Sequence, residues 1–147
     1  MSVKLLAMLV ALLSGLSMAV QGSLNSVLGK IIGLLEATFI VHIVGSGVLV
    51  IGLFVFNLGE GSFQKMPQVP WYVYLGGLLG VIIVYTVAYS IPVLGVALAT
   101  TFIIIGQVGT ALIIDHFGIF GLDQIPFTWL KGLGLAFLAV GAKLMLS

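Results

Sequence analysis

Residues 66–114 run without a single Asp, Glu, Lys or Arg. No water-soluble fold tolerates such a stretch, because an ordinary soluble domain carries about 25% charged residues to cover its surface. Only 6% of these 147 residues are charged and 61% are hydrophobic, so the rest of the chain offers no cover either. The solvent that fits is lipid. In lipid every backbone N–H and C=O must be satisfied internally, which leaves helices or closed barrels. The long apolar runs show no alternation of polarity of the kind a barrel strand needs, so an all-α integral membrane bundle is predicted.

Charges punctuate the spans. Residues 5–29 carry none, and at about 1.5 Å per residue they cross a hydrocarbon core of about 30 Å. Lys30 to Glu36 reads as a short turn, and 37–59 follow with only the titratable His42. Asn57 to Pro67 is rich in turn formers. Pro92 is expected to divide the long run into two helices, since it lacks an N–H and disfavours helical backbone at Ile91. Asp115 to Pro126 is the next loop. The last span holds Lys131 and Lys143 near its ends, where lysine snorkels to the interface. The predicted helices are about 4–28, 35–57, 71–90, 93–114 and 127–146, in a single transmembrane domain over 1–147. Trp71 and Trp129 would open the third and fifth on one side, as interfacial anchors. Lys4, the apolar run from Leu5 to Leu13 and Ser17-Met18-Ala19 resemble a signal peptide. The charge-free stretch nevertheless continues to Gly29, so an uncleaved first span is expected.

Five crossings place the termini on opposite faces. Lys4, Lys65 and Lys131 then share one face and Lys30 and Lys143 the other, with no arginine to break the near tie. The positive-inside rule therefore orients the chain weakly or not at all. Such a chain suits pairing with an inverted copy, giving ten helices about a pseudo-two-fold axis in the membrane plane. The alternative is that a partner subunit sets the orientation. Small-residue stripes (Gly15, Ala19, Gly22 and Ser26; Gly76, Gly77 and Gly80; Gly132 and Ala136) allow close backbone approach, within one chain or between two.

Polar residues at membrane depth are the candidates for function. Ser14, Ser17, Gln21 and Asn25 share one face of the first helix by the 100° step. They either face a substrate or bond between helices. His42 lies about two turns into the second helix with Thr38 and Ser46 on its face, and is either a proton-coupling group or a neutral histidine bonded across helices. Glu36 opens the same helix, where an acid complements the macrodipole and is a second candidate for proton coupling. Tyr85 and Tyr89 could wall a cavity and meet a cation with their ring faces, although Tyr89 also suits an interfacial belt. Gln107 shares a face of the fourth helix with Thr100. By depth, Gln21, Asn25, His42, Tyr85 and Tyr89 fall in the half of the membrane nearer the C-terminal face, and Gln107 in the other.

Catalytic signatures are missing. The chain has no cysteine, and His42 and His116 belong to no metal-ligand spacing. There is no nucleophile elbow and no phosphate-binding Gly-Lys-Ser/Thr loop. No catalytic residue, metal or cofactor is expected, and the chain is not read as an enzyme. A net charge of +1 leaves no footprint for nucleic acid.

Several short motifs occur in a characteristic order: Gln21-Gly22-Ser23-Leu24-Asn25, Trp71-Tyr72-Val73-Tyr74-Leu75-Gly76-Gly77, and Pro92-Val93-Leu94-Gly95-Val96-Ala97. Gly106-Gln107, Ile113-Ile114-Asp115-His116-Phe117-Gly118, Gly132-Leu133-Gly134 and Gly141 follow. Over essentially its whole length the chain resembles the YdcZ-type inner-membrane proteins, a branch of the drug/metabolite transporter superfamily. The resemblance implies a bacterial five-helix protein of the inner membrane, occurring as pairs of chains or as fused ten-helix forms and associated with transport of small molecules. It makes Gln21, Asn25, Gln107, Asp115 and His116 family-motif positions, and leaves their roles open. A membrane-embedded glutamate of the small multidrug-resistance kind is not evident.

The function expected is secondary transport of a small metabolite, drug or organic cation by alternating access, as an inverted homodimer or with a paralogous partner. Gln21, Asn25, Tyr85, Tyr89 and Gln107 would line the pathway. The rival readings are a small channel with a polar constriction and a structural accessory subunit.

Overall fold

The hydroxyl of Ser2 accepts a hydrogen bond from the Leu5 N–H at 3.2 Å and so caps the first helix. In the computed structural model, which describes residues 2–146, all regular structure among the described residues is helical. The main helices are α1 (Val3–Ile32), α2 (Leu34–Val50), α3 (Leu75–Leu94), α4 (Val96–Phe117) and α5 (Trp129–Leu144). A π-helical turn, Ile51–Val55, prolongs α2. Short 3₁₀ turns at Phe63–Gln68 and Trp71–Tyr74 lead into α3, and another at Ile119–Gly121 follows α4.

Among the described residues, four helical stretches are long and apolar enough to cross a membrane: Val3–Ile32, Leu34–Val55, Trp71–Leu94 and Val96–Phe117. The fifth helix is shorter than expected. With 16 residues, α5 reaches only about 24 Å at 1.5 Å per residue, less than the ~30 Å of a typical core. Residues 122–128 carry no regular structure, as expected to Pro126 but not for Phe127 and Thr128, and α5 begins only after Thr128, whose hydroxyl accepts from the Lys131 N–H at 3.4 Å.

Two breaks differ from their expected places, and glycine explains both. The turn read over Lys30 to Glu36 shrinks to Gly33 alone, at φ 103°. Its N–H donates to the Gly29 carbonyl at 3.0 Å, and its own carbonyl accepts from the Ala37 N–H at 2.9 Å. A Cβ on Gly33 would overlap the Glu36 carboxylate, which folds back over it. Pro92 does not separate the third and fourth helices. It lies inside the last turn of α3, and the break falls at Gly95, φ 81°. A proline removes one helical hydrogen bond, which a membrane helix absorbs. The break instead takes a positive φ, which glycine adopts without steric cost.

The chain divides into two compact units, residues 1–93 and 94–147. In the first, the buried residues are few and mostly small: Gly22, Asn25, Ser26 and Gly29 of α1, Ala37 and Thr38 of α2, and Ala88 and Ile91 of α3. Gly22 is where α1 meets α3, since a Cβ there would stand 2.8 Å from Val87 Cγ1 and 3.0 Å from Ile91 Cδ1. Small residues at contacts let helices pack when lipid, not water, surrounds them. Large apolar side chains such as Leu9, Leu12, Leu13 and Leu16 point outward, as a lipid-facing surface requires.

In the second unit α4 and α5 form an antiparallel hairpin closed at both ends. The Thr101 hydroxyl contacts Met145 Sδ at 3.3 Å at one end. At the other, the segment after α4 folds back: the Ile125 N–H donates to the Asp115 carbonyl at 2.8 Å, and Gln124 Nε2 to the His116 carbonyl at 2.8 Å. Gly118, left-handed at φ 59°, ends α4 and turns the chain.

Candidate functional site

Gln21 and Asn25 stand one turn apart on α1. With Leu16, Ser17, Val20 and Leu24 they line a shallow groove of about 400 Å³. Ser14, expected on the same stripe, is not on its wall. The Ser17 hydroxyl donates to the Leu13 carbonyl at 2.9 Å, so the groove's open polar groups are the two amides. Gln21 is exposed. Asn25 is only 6% exposed, yet its side chain makes no hydrogen bond among the described residues. No described side-chain N or O is both sealed away and unpaired, so the Asn25 amide reaches the surface at the groove wall.

A second groove of about 410 Å³ lies between α2 and α3, lined by Leu35, Glu36, Thr38, Phe39, His42 and Val81. Thr38 is buried, and its hydroxyl donates to the Leu34 carbonyl one turn back at 2.8 Å. His42 Nδ1 lies 2.7 Å from the Thr38 carbonyl. A carbonyl only accepts, so Nδ1 carries a proton, and in the uncharged tautomer this leaves the lone pair on Nε2. That bond runs within α2, not across helices as the bonded-histidine alternative supposed. Nε2 faces α3 at Gly80, where a Cβ would stand 3.6 Å away. Glu36 occupies the third position of α2 and leans toward the helix start, where the macrodipole favours an acid. It has no ion-pair partner among the described residues.

The fold thus pairs Gln21 with Asn25 and Glu36 with His42. Tyr85 and Tyr89 lie on α3, 39% and 60% exposed, and line neither groove. The ring in the second groove belongs to Phe39, and the sequence signal for it is its place three residues before His42. Gln107 is exposed in the C-terminal unit and stands twelfth of the 22 residues of α4. A third groove, about 710 Å³, runs along the α4–α5 hairpin with Gly109, Thr110, Ile113, Phe127 and Leu135 on its wall, and Gln107 is not part of it.

Asp115 and His116 have a structural task. Besides the two carbonyl contacts above, His116 Nδ1 accepts from the Phe127 N–H at 3.2 Å. The Phe127 ring rests on Gly132, where a Cβ would come within 2.9 Å. Together these contacts hold the segment between α4 and α5. Residues separated by eight to eleven positions carry them, so no local periodicity marks them in the sequence.

Residues 6–144 match the model of the family described as "Putative inner membrane exporter, YdcZ". The chain belongs to this family. It is accordingly an inner-membrane protein, and the YdcZ description accords with a membrane transporter and not with an enzyme. No curated protein and no solved structure matches the chain.

Proposed function

We propose that the protein is a secondary transporter that moves a small solute by alternating access, as an inverted homodimer of ten helices. The observation that carries the reading is Asn25. Its amide has no hydrogen-bond partner within the chain and opens at the groove wall, and at membrane depth such a group persists where a ligand, water or a partner chain meets it. Gln21 stands beside it with its own amide open. In this reading Gln21, Asn25, Tyr85, Tyr89 and Gln107 line the pathway, with the α1 groove as its most polar part. His42 and Glu36 couple transport to protons, supported by the open Nε2 lone pair and the unpaired carboxylate. All five helices cross, α5 through a locally thinned bilayer with Lys131 and Lys143 at the interfaces, and the two units act as one transmembrane domain. The lysine distribution, three against two, supports insertion in both orientations.

Purified protein in liposomes, offered a panel of small metabolites and organic cations, should show saturable uptake with counterflow. Flux that neither saturates nor exchanges would point to a channel and overturn the transporter reading.

A further inference from the structure

The groove between α2 and α3 is unusual in the balance of its polar groups. Each side-chain donor in it is consumed internally: the Thr38 hydroxyl on the Leu34 carbonyl and His42 Nδ1–H on the Thr38 carbonyl. The side-chain polar groups left uncommitted in the groove are acceptors only, namely His42 Nε2, beside Gly80 of α3, and the Glu36 carboxylate. No lysine lines it, and Leu35, Phe39 and Val81 make the remaining wall apolar. Such a wall rejects anions and gives carbonyl-type ligands nothing to bond. It suits N–H donors, above all positively charged ones, because hydrogen bonds from a charged donor are about twice as strong as neutral ones.

The two acceptors are also separated. Glu36 and His42 are six residues apart, which is about 9 Å along a helix axis, with Phe39 midway between them. One ammonium group cannot reach both. We infer that this groove binds an elongated organic cation with N–H donors at both ends, of the aliphatic diamine class. One ammonium pairs with Glu36 near the membrane surface, the alkyl chain lies along Phe39, Leu35 and Val81, and the second donor reaches His42 Nε2. As a statement about the transported substrate, this rests on the transporter reading above. As a statement about binding, it stands by itself.

The test is titration calorimetry on the full chain in detergent with three probes of one length: the six-carbon α,ω-diamine, the six-carbon monoamine, and the diamine with both nitrogens fully methylated. The diamine should bind at least about tenfold more tightly than either of the others, since each end contributes a charge-assisted hydrogen bond worth about 1.5–3 kcal/mol. Glu36→Gln and His42→Phe should each bring the diamine to the level of the monoamine. Glu36→Gln is near-isosteric and keeps the comparison informative should His42→Phe fail to fold. Equal binding of the methylated probe, or unchanged affinity in a folded variant, overturns the inference, as does the absence of saturable diamine binding. The same preparation in liposomes separates the two ideas. Counterflow of a neutral solute without amine binding removes this site and leaves the transporter. Diamine binding with no counterflow of any solute removes the transporter and leaves the site.

Discussion

His42 and Thr38 are joined by one hydrogen bond, in which the imidazole Nδ1–H donates to the Thr38 carbonyl at 2.7 Å. Thr38 is itself held by its hydroxyl on the Leu34 carbonyl at 2.8 Å. The two bonds form a ladder up α2 that sets the ring's orientation and tautomer, leaving Nε2 as the group open to a proton or a ligand. Thr38→Ala and His42→Phe should therefore behave differently. Each loses a bond of about 0.5–1.5 kcal/mol in net stability. Only His42→Phe should lower uptake driven by a pH gradient, by about tenfold or more, as expected for a positioned proton-transfer group. Equal losses in both variants would mean that His42 acts through folding alone.

Gly22 sits where α1 meets α3, and a side chain there has no room. Gly22→Leu should lower stability by about 1–3 kcal/mol, the usual cost of overpacking. Gly15→Ala is the control, because nothing lies within 4 Å of the point a Cβ would occupy there. It should leave the thermal melt in detergent unchanged within about 0.5 kcal/mol, as surface substitutions do. A Gly22→Leu protein that melts with the parent would contradict this packing.

Asn25→Leu replaces the buried, unpartnered amide with an apolar side chain of similar size. Stability should be kept, because the change breaks no hydrogen bond within the chain. Solute uptake into liposomes should fall by up to about tenfold, the worth of a hydrogen bond of about 1.4 kcal/mol. An accessory subunit would instead tolerate Asn25→Leu and Gln21→Leu with its function intact.

His116→Ala removes the acceptor that holds the Phe127 N–H at 3.2 Å. Gln124→Ala removes the bond to the His116 carbonyl at 2.8 Å. Each should cost about 1 kcal/mol and speed proteolytic cleavage within residues 122–128, with α4 and α5 still helical by circular dichroism. Cleavage at the parental rate in both variants would show that these bonds do not hold the segment.

The chain has no cysteine, so a single Gly61→Cys change gives a unique label. Nothing lies within 4 Å of a Cβ at Gly61, and the substitution should be silent for folding. With dual insertion, membrane-impermeant reagent applied from either side should label comparable fractions. Labelling from one side only would sink the inverted homodimer while leaving an inverted pair with a paralogue.

Helical membrane character was legible in the sequence because it depends on local sums: charge-free length and the absence of polar alternation. The ends of helices were less so. Pro92 reads as the stronger punctuation, yet the helix breaks at Gly95, since a lost hydrogen bond is tolerated where a positive φ in a bulky residue is not. Among the candidate site residues, Gln21 and Asn25 fell on one helix face, and helical periodicity alone puts them together. Tyr85 and Tyr89 share a face by the same rule but line neither of the two polar grooves.

Amino-acid order by itself thus determined the solvent, the helical class and the family, because lipid admits few backbone solutions to a chain with so little charge. The tertiary structure alone decided which polar groups remain open. Whether Thr38, His42 or His116 has a free donor or acceptor depends on what the neighbouring backbone already takes. That is why His42 gives its Nδ1–H to its own helix, while the Nδ1 of His116, equally polar on paper, accepts from the loop beside it.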